Sequence, residues 1–510
     1  MTASDLGSTI PSASSKKREI SSDALSGLLL YALYAGGLTL AFRWLEGPLI
    51  LFDDAYFLLV SYSWLNGLGF NNFWVNPISS TIFNWHGFLQ PMLVGWLSPC
   101  GTLDCLNIAV IAIGGVFLAL WYPLVNTVTS SRLLRWVLYV IAVACVLQYS
   151  ARPELLAAMG LVALIALFYV LPNERTYSRG LAAGVLVGLI VVTSPVAGVF
   201  AGVGVAAATT YLRRSDADYI GFGVEGLACL ISVLATVAVM LTFVYPYIAH
   251  DWLDGILMHS AKTAEREDTS GFLKAYVAAR LLPFQAVMLF VLAGIARHAL
   301  MQIWRAGNRL FSAVFVLICL AAVYLVYFTA IRIPLTAYNF TVLVAPIALI
   351  AVMVVNVTAT TARRARIALI APLVLFAVAC CFGQAVWAMQ TVTFLPDQHR
   401  LAQGITQSVD RYMAANRRIA MDPPLMAAVD DVKKLKDMTI LFFGQPQKEN
   451  DTPPDVDVLY RSQREFGAPP PEIPGFRLVE NHFDHSLVAR VLRPKGTYYA
   501  IYEAVAPGQK

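Results

Sequence analysis

The sequence predicts a polytopic α-helical membrane protein with a small C-terminal α/β domain outside the membrane. Three observations carry this. Apolar runs of about 20 residues, the length that spans a bilayer core, recur through the first ~390 residues. Of all 510 residues, 58% are hydrophobic and only 14% charged, too apolar for a soluble chain of this size. From about residue 398 the pattern changes to mixed charge, prolines and short apolar stretches.

Residues 1–22 are polar and Ser-rich, with Lys16, Lys17 and Arg18, and read as a disordered cytoplasmic N-terminus. A first spanning helix follows at about 25–45. It is too long for a signal-peptide core and lacks a small-residue cleavage site. Residues 46–100 form a long aromatic-rich outer segment. Further runs lie near 103–125, 132–149, 153–171, 180–193, 195–212, 222–247, 276–297, 309–329, 336–356 and 367–389. The run at 180–193 is short, covering only about 20 Å at 1.5 Å per residue.

The net charge of +5 matters less than its placement. Clusters at Arg132/Arg135, Arg175/Arg179, Arg213/Arg214, Arg297/Arg305/Arg309 and Arg363/Arg364/Arg366 are expected in the cytoplasm by the positive-inside rule. No Lys or Arg occurs between Arg43 and Arg132, which suits the outer face. The chain must then cross an odd number of times between Asp53 and Arg132. With 86–98 re-entrant or interfacial and 103–125 as the crossing, about 11 crossings result and the C-terminus lies outside. A true crossing at 86–98 is the alternative and puts Arg132 outside. No extended basic arm suits nucleic acid.

Five of the seven cysteines (Cys145, Cys229, Cys319, Cys380, Cys381) lie in apolar runs as small hydrophobes. Cys100 and Cys105 flank a short loop and can pair if it faces an oxidising compartment. The boundaries expected are 1–22, a transmembrane domain over 23–395 and an extracytoplasmic α/β domain over 396–510. Within the last, 422–436 reads as a helix begun at prolines. Met438–Phe443, Val456–Tyr460, Leu487–Leu492 and Tyr498–Tyr502 read as strands, and Asp451–Pro454 and Pro469–Pro474 as loops.

The chemistry concentrates in Leu51-Phe52-Asp53-Asp54-Ala55-Tyr56-Phe57, just after the first helix. Carboxylates at a membrane surface are costly unless solvated, paired or functional. One Asp here can serve as the N-cap of the next helix. A second needs another reason, and a carboxylate so placed can take a proton from an acceptor hydroxyl. Residues 55–70 read as an interfacial helix ended by Gly67 and Gly69, with Tyr and Trp at headgroup level. Asn84-Trp85-His86-Gly87-Phe88-Leu89-Gln90-Pro91 follows. His86 reads either as a structural donor or as a group that binds substrate or metal. One His and two Asp make no specific metal signature, so a divalent metal is compatible with the site without being specified.

An aspartate pair after the first helix, an interfacial helix ending in Gly-x-Gly and a His/Pro segment entering the next helix resemble the GT-C glycosyltransferases. Asp53-Asp54-Ala55-Tyr56 with Leu65-Asn66-Gly67-Leu68-Gly69-Phe70 is most similar to the Rhizobium galacturonosyltransferases and mycobacterial arabinofuranosyltransferases within that group. The layout covers the whole chain; the specific motif covers about 50–91. Members often carry Asp-Glu where this chain has Asp53-Asp54, which leaves the two roles exchangeable. The resemblance implies a membrane enzyme that takes its sugar from a polyprenyl-phosphate donor and passes it to a cell-envelope acceptor, at the outer face of a bacterial inner membrane. It places Asp53 as catalytic base and Asp54 as the second acidic group, with Tyr56 and His86 in the substrate site.

Ser150-Ala151-Arg152-Pro153-Glu154 and Thr193-Ser194-Pro195 are proline turns at the outer face, similar to those flanking the reaction site in the family. Arg152 and Glu154 bind substrate or form a local ion pair with no catalytic role. Arg332 and Tyr338, before Pro346, match an Arg and Tyr that relatives carry ahead of a Pro-containing helix. Arg332 either holds the lipid phosphate or anchors the boundary. Arg280 and Lys274 follow a long outer loop and are further candidates. A transporter or flippase of a lipid-linked glycan, and a non-catalytic assembly protein, are the alternative classes. The first expects inverted repeats, and the sequence shows none.

Overall fold

The computed structural model describes residues 52–67, 87–98, 103–149, 152–170, 176–213, 219–244, 337–358, 363–429, 432–435, 437–440, 456–463, 467–492 and 498–505, with Cys100, Cys319 and eight positions between 26 and 37. It is mostly helical. The helices are α1 Phe52–Leu65, α2 Leu89–Leu97, α3 Leu103–Val128, α4 Arg132–Tyr149, α5 Pro153–Val170, α6 Thr176–Thr193, α7 Pro195–Arg213, α8 Tyr219–Val244, α9 Ala337–Thr358 and α10 Arg363–Ala414. Among the described residues, two segments are long and apolar enough to cross a membrane, Ile108–Val128 in α3 and Ile220–Val244 in α8. The first helix expected at 25–45 is described only at its scattered positions, which are helical, and the runs at 276–297 and 309–329 lie outside the described residues apart from Cys319.

α9 is the centre of the helical part. Every residue from Val344 to Val355 is buried, and α4, α5 and α10 surround it. A helix apolar on all sides needs such a setting. By contrast α8 leaves Ile220, Leu227, Leu230 and Leu234 more than half exposed along one side.

α6 and α8 run side by side in the same direction, held by a ladder of glycines. A Cβ on Gly180 would meet Glu225 O at 2.5 Å, one on Gly184 would meet Cys229 O at 2.3 Å, and one on Gly188 would meet Thr236 Cβ at 2.7 Å. Glycine at every fourth position lets two backbones approach this closely. One end of the ladder is closed by Arg179, whose Nε and Nη2 donate to Glu225 Oε1 and Oε2 at 2.5 and 2.8 Å. The guanidinium also lies 5.6 Å from the centre of the Phe168 ring. Arg179, expected on the cytoplasmic side, is 1% exposed, and α6 starts earlier than the short run at 180–193 suggested.

α10, 52 residues long, leaves the helical part and continues into the tail, so residues 395 and 396 fall inside one helix. The tail is a five-stranded mixed sheet of order β2-β1-β3-β5-β4: β1 Ile419–Met421, β2 Thr439–Ile440, β3 Val458–Ser462, β4 Phe476–Asn481 and β5 Tyr499–Ala504. β1 pairs in parallel with β2 and β3; β5 is antiparallel to β3 and β4. The last turns of α10 cover one face, where Tyr460 donates to Ser408 Oγ at 2.8 Å and Tyr412 to Glu503 Oε1 at 2.9 Å.

Two expectations for the tail are corrected. Residues 422–436 form not one helix but a 3-10 turn, Pro423–Ala428, and a short helix α11, Val432–Leu435, separated by an extended Val429. Leu487–Leu492 is a helix, α12, not a strand. Ser486 Oγ accepts from Ala489 N at 3.0 Å, an N-cap that decides this short stretch, apolar apart from Arg490, for helix. β1 and the edge strand β4 were not expected.

Candidate functional site

α1 carries the acidic pair. Asp53 and Asp54 both have helical backbone, so neither stands outside the helix as a cap residue; their side chains, and that of Tyr56, lie outside the described atoms. α1 ends as the sequence predicts. Asn66 N donates to Tyr62 O at 3.1 Å and Gly67 N to Trp64 O at 3.0 Å. Gly67 then takes φ +73°, a left-handed conformation that glycine adopts without strain.

α1 is gripped on two faces. On one, Val60 packs with Phe88, Leu89 and Met92 at the start of α2 and with Val192 and Val244 at the ends of α6 and α8. Trp64 and Trp96 meet edge to face at 5.8 Å, and Trp96 meets Phe243 likewise at 6.1 Å. On the other face, Leu58 and Tyr62 share a core with Ile405 and Val409 of α10, Leu425 and Met426 of the 3-10 turn, and Tyr460 and Tyr499 of the sheet. Leu156, one turn into α5, packs against that same core.

This arrangement brings together segments that the sequence marked separately. His86 lies outside the described residues, but its neighbour Gly87 donates its N–H to Thr193 O at 3.0 Å. A Cβ at Gly87 would lie 2.1 Å from Val192 O and 2.4 Å from Thr193 O. Gly87 therefore lies on the Thr193-Ser194-Pro195 turn, backbone against backbone. Gly87 was not singled out as a site residue, and only the structure reveals why glycine stands there.

Arg152 and Glu154 are buried at the start of α5 and joined by two hydrogen bonds, Nε to Oε2 at 3.2 Å and Nη2 to Oε1 at 3.3 Å. That is the local ion pair that the sequence allowed, and Arg152 has further interactions beyond it. Arg280, Arg332 and Lys274 lie outside the described residues. Tyr338 is on α9, near the end of that helix, with its side chain outside the described atoms.

α2 is nine residues long, about 13 Å, against the ~30 Å of a hydrocarbon core. It lies between α1 and α3. Beyond it Cys100 and Cys105 form a disulfide, with Cα atoms 5.5 Å apart. Among the described residues no group of three His, Cys, Asp or Glu side chains is placed to hold a metal ion.

The chain matches no family model, no curated protein and no solved structure.

Proposed function

We propose that the chain is a GT-C-like membrane glycosyltransferase. It takes a sugar from a polyprenyl-phosphate donor and passes it to a cell-envelope acceptor at the outer face of a bacterial inner membrane. In this reading the chain crosses about 11 times, with the N-terminus in the cytoplasm and the α/β domain outside. Asp53 takes the proton of an acceptor hydroxyl as that oxygen attacks the anomeric carbon. The bond from that carbon to the carrier phosphate oxygen breaks, and configuration inverts. Arg332 balances charge on the departing phosphate. Asp54, Tyr56 and His86 bind substrate, with Arg152, Glu154, Arg280 and Tyr338 around them.

One observation carries the proposal. The helix bearing two adjacent carboxylates is clamped between the Gly87–Thr193 junction at one end of the bundle and the core of the tail. A helix that only capped itself would not need contacts from four distant parts of the chain, whereas a catalytic base does need to be held in place. The Cys100–Cys105 disulfide next to this region suits an oxidising outer compartment.

Transport of a lipid-linked glycan is the second reading, and the buried Arg179–Glu225 pair favours it, since ionisable residues within a membrane often mark a path. That pair closes on itself through two hydrogen bonds at the end of a glycine ladder, the geometry of a helix clamp.

Transfer from polyprenyl-phosphate sugars in membranes, comparing wild type with Asp53→Asn and Asp54→Asn at matched expression, tests the proposal. Loss of a general base lowers the rate about 10²–10⁴-fold. Undiminished transfer in Asp53→Asn would remove Asp53 as the base, and undiminished transfer in both would remove the mechanism.

A further inference from the structure

A cleft of about 490 Å³ opens where α10 leaves its apolar stretch and enters the tail. That size lies in the range of small-ligand sites, about 300–1,000 Å³. One wall is α10, which contributes Phe394, Asp397, Arg400 and Leu401; the other is the loop between β4 and α12, with Tyr498 beside it.

The loop is pinned before any ligand arrives. Gln463 brackets Asp484 from both sides, accepting from its N–H at 2.8 Å and donating to its carbonyl at 3.0 Å. Ser486 N donates to Asp484 Oδ1 at 2.8 Å, and Phe483 N to Asn481 Oδ1 at 3.1 Å. The His482 ring rests on Tyr499, centroids 4.6 Å apart, and its Nε2 lies 3.3 Å from Glu480 Oε2. Glu480 in turn accepts from Arg411 at 2.9 Å. A wall held this way loses little freedom on binding.

The chemistry of the lining selects the ligand. Phe394, Phe483 and Tyr498 supply aromatic surface, and Asp397, Arg400, His482 and Asp484 supply donors and acceptors. Asp397 and Arg400, one turn apart, bond each other at 3.1 Å yet stay 49% and 77% exposed, which leaves their other donors and acceptors open. Among the described lining residues two carboxylates stand against one guanidinium, so these side chains carry no excess of positive charge with which to hold a phosphate or a carboxylate. Aromatic surface with paired polar groups suits a ligand with apolar C–H faces and many hydroxyls.

We propose that this cleft binds a neutral saccharide and that, in transfer, the saccharide is the acceptor glycan. The second half rests on the glycosyltransferase reading; the first does not. The cleft is coupled to the acidic helix, because Phe394 and Leu401 of its wall belong to the core that holds Leu58 and Tyr62 of α1.

The test uses full-length protein in detergent and saturation-transfer NMR. The probe is the neutral oligosaccharide fraction released by mild acid from the envelope of the cells that naturally carry this chain. The anionic fraction and polyprenyl phosphate serve as comparisons. The neutral fraction is expected to bind wild type, with apparent Kd raised about tenfold in His482→Ala and Arg400→Ala, one lost hydrogen bond each. Val488→Trp, a half-exposed lining position, is expected to fill the cleft and abolish the signal while the melting temperature holds. Binding of the anionic fraction or polyprenyl phosphate alone, no binding at all, or full binding by Val488→Trp would each overturn the cleft assignment. Saccharide binding lost in Val488→Trp, combined with transfer that survives Asp53→Asn, would keep the cleft and discard the proposed base. A base-dependent transfer that ignores Val488→Trp would keep the base and discard the cleft's role as acceptor site.

Discussion

Replacing Gly87 by alanine adds one methyl group and tests how the acidic helix is held. The new Cβ would lie 2.1 Å from Val192 O and 2.4 Å from both the carbonyl carbon and oxygen of Thr193. All three are backbone atoms, so no side chain can swing away. Restoring ordinary contact near 3.4 Å requires the two segments to part by about 1.3 Å. Overpacking of this kind costs about 1–3 kcal/mol. The Gly87 N–H to Thr193 O bond is lost as well, about 1 kcal/mol more. The expected loss is therefore about 2–4 kcal/mol. Because α2 carries the same packing that holds Val60 and Trp64 of α1, the shift passes to the acidic helix, and a 1 Å misplacement costs a reaction about 100-fold in rate. Gly223→Ala is the control, since nothing lies within 4 Å of its Cβ and alanine gains helix propensity of up to about 1 kcal/mol. SDS titration of the purified protein measures the stability, and the membrane transfer assay measures the rate. If Gly87→Ala unfolds at the wild-type midpoint and transfers at the wild-type rate, the close approach of the two backbones is wrong.

Two further predictions concern charges. Removing either member of the Arg179–Glu225 pair strands a buried charge and is expected to cost about 3–5 kcal/mol. The double variant Arg179→Met/Glu225→Leu is expected to recover most of that; single variants as stable as wild type in SDS titration would refute the pair. In the tail, the Arg418 backbone N–H and guanidinium hold the Asp457 carboxyl below its usual range. Burial opposes ionisation of Glu480, but hydrogen bonds from Arg411 and His482 outweigh it and also leave it low. Depressed carboxyl values give stability that is complete above the unfolded values near pH 4 and is lost as pH falls through the folded ones. The melting temperature of the full chain is expected to drop on acidification below about pH 4, and less steeply in Asp457→Asn; identical acid limbs would contradict this.

What the sequence made legible was local. The end of α1 was readable because Gly67 is needed where the backbone turns left-handed. β3 and β5 were readable because Val456–Tyr460 and Tyr498–Tyr502 are mostly apolar stretches that follow breakers, Pro453-Pro454 and Gly496. Leu487–Leu492 was misread because five apolar residues around Arg490 fit strand or helix equally, and one hydroxyl, Ser486 Oγ, decides between them. Long-range terms were not legible. Arg179 and Glu225 are 46 positions apart, and nothing in either segment names its partner. The spacing Gly180-x₃-Gly184-x₃-Gly188 was a usable signal for a close helix contact, but it does not identify α8 as the other side.

The same division explains how the candidate site is built. Asp53 and Asp54 stand out in the sequence because two carboxylates beside aromatics are locally improbable at a membrane surface. The groups that hold their helix are ordinary apolar residues: Val192 at the end of α6, Val244 at the end of α8, Leu156 in α5 and Leu425 in the tail. None has chemistry of its own, and each is informative only once the chain has folded. It follows that the tail is not an appended module. Ile405 and Val409 of α10, Met426 of the 3-10 turn and Tyr499 of β5 close the core under Leu58 and Tyr62, so the helix that bears the acidic pair has its full set of neighbours only when the C-terminal quarter of the chain is folded against it.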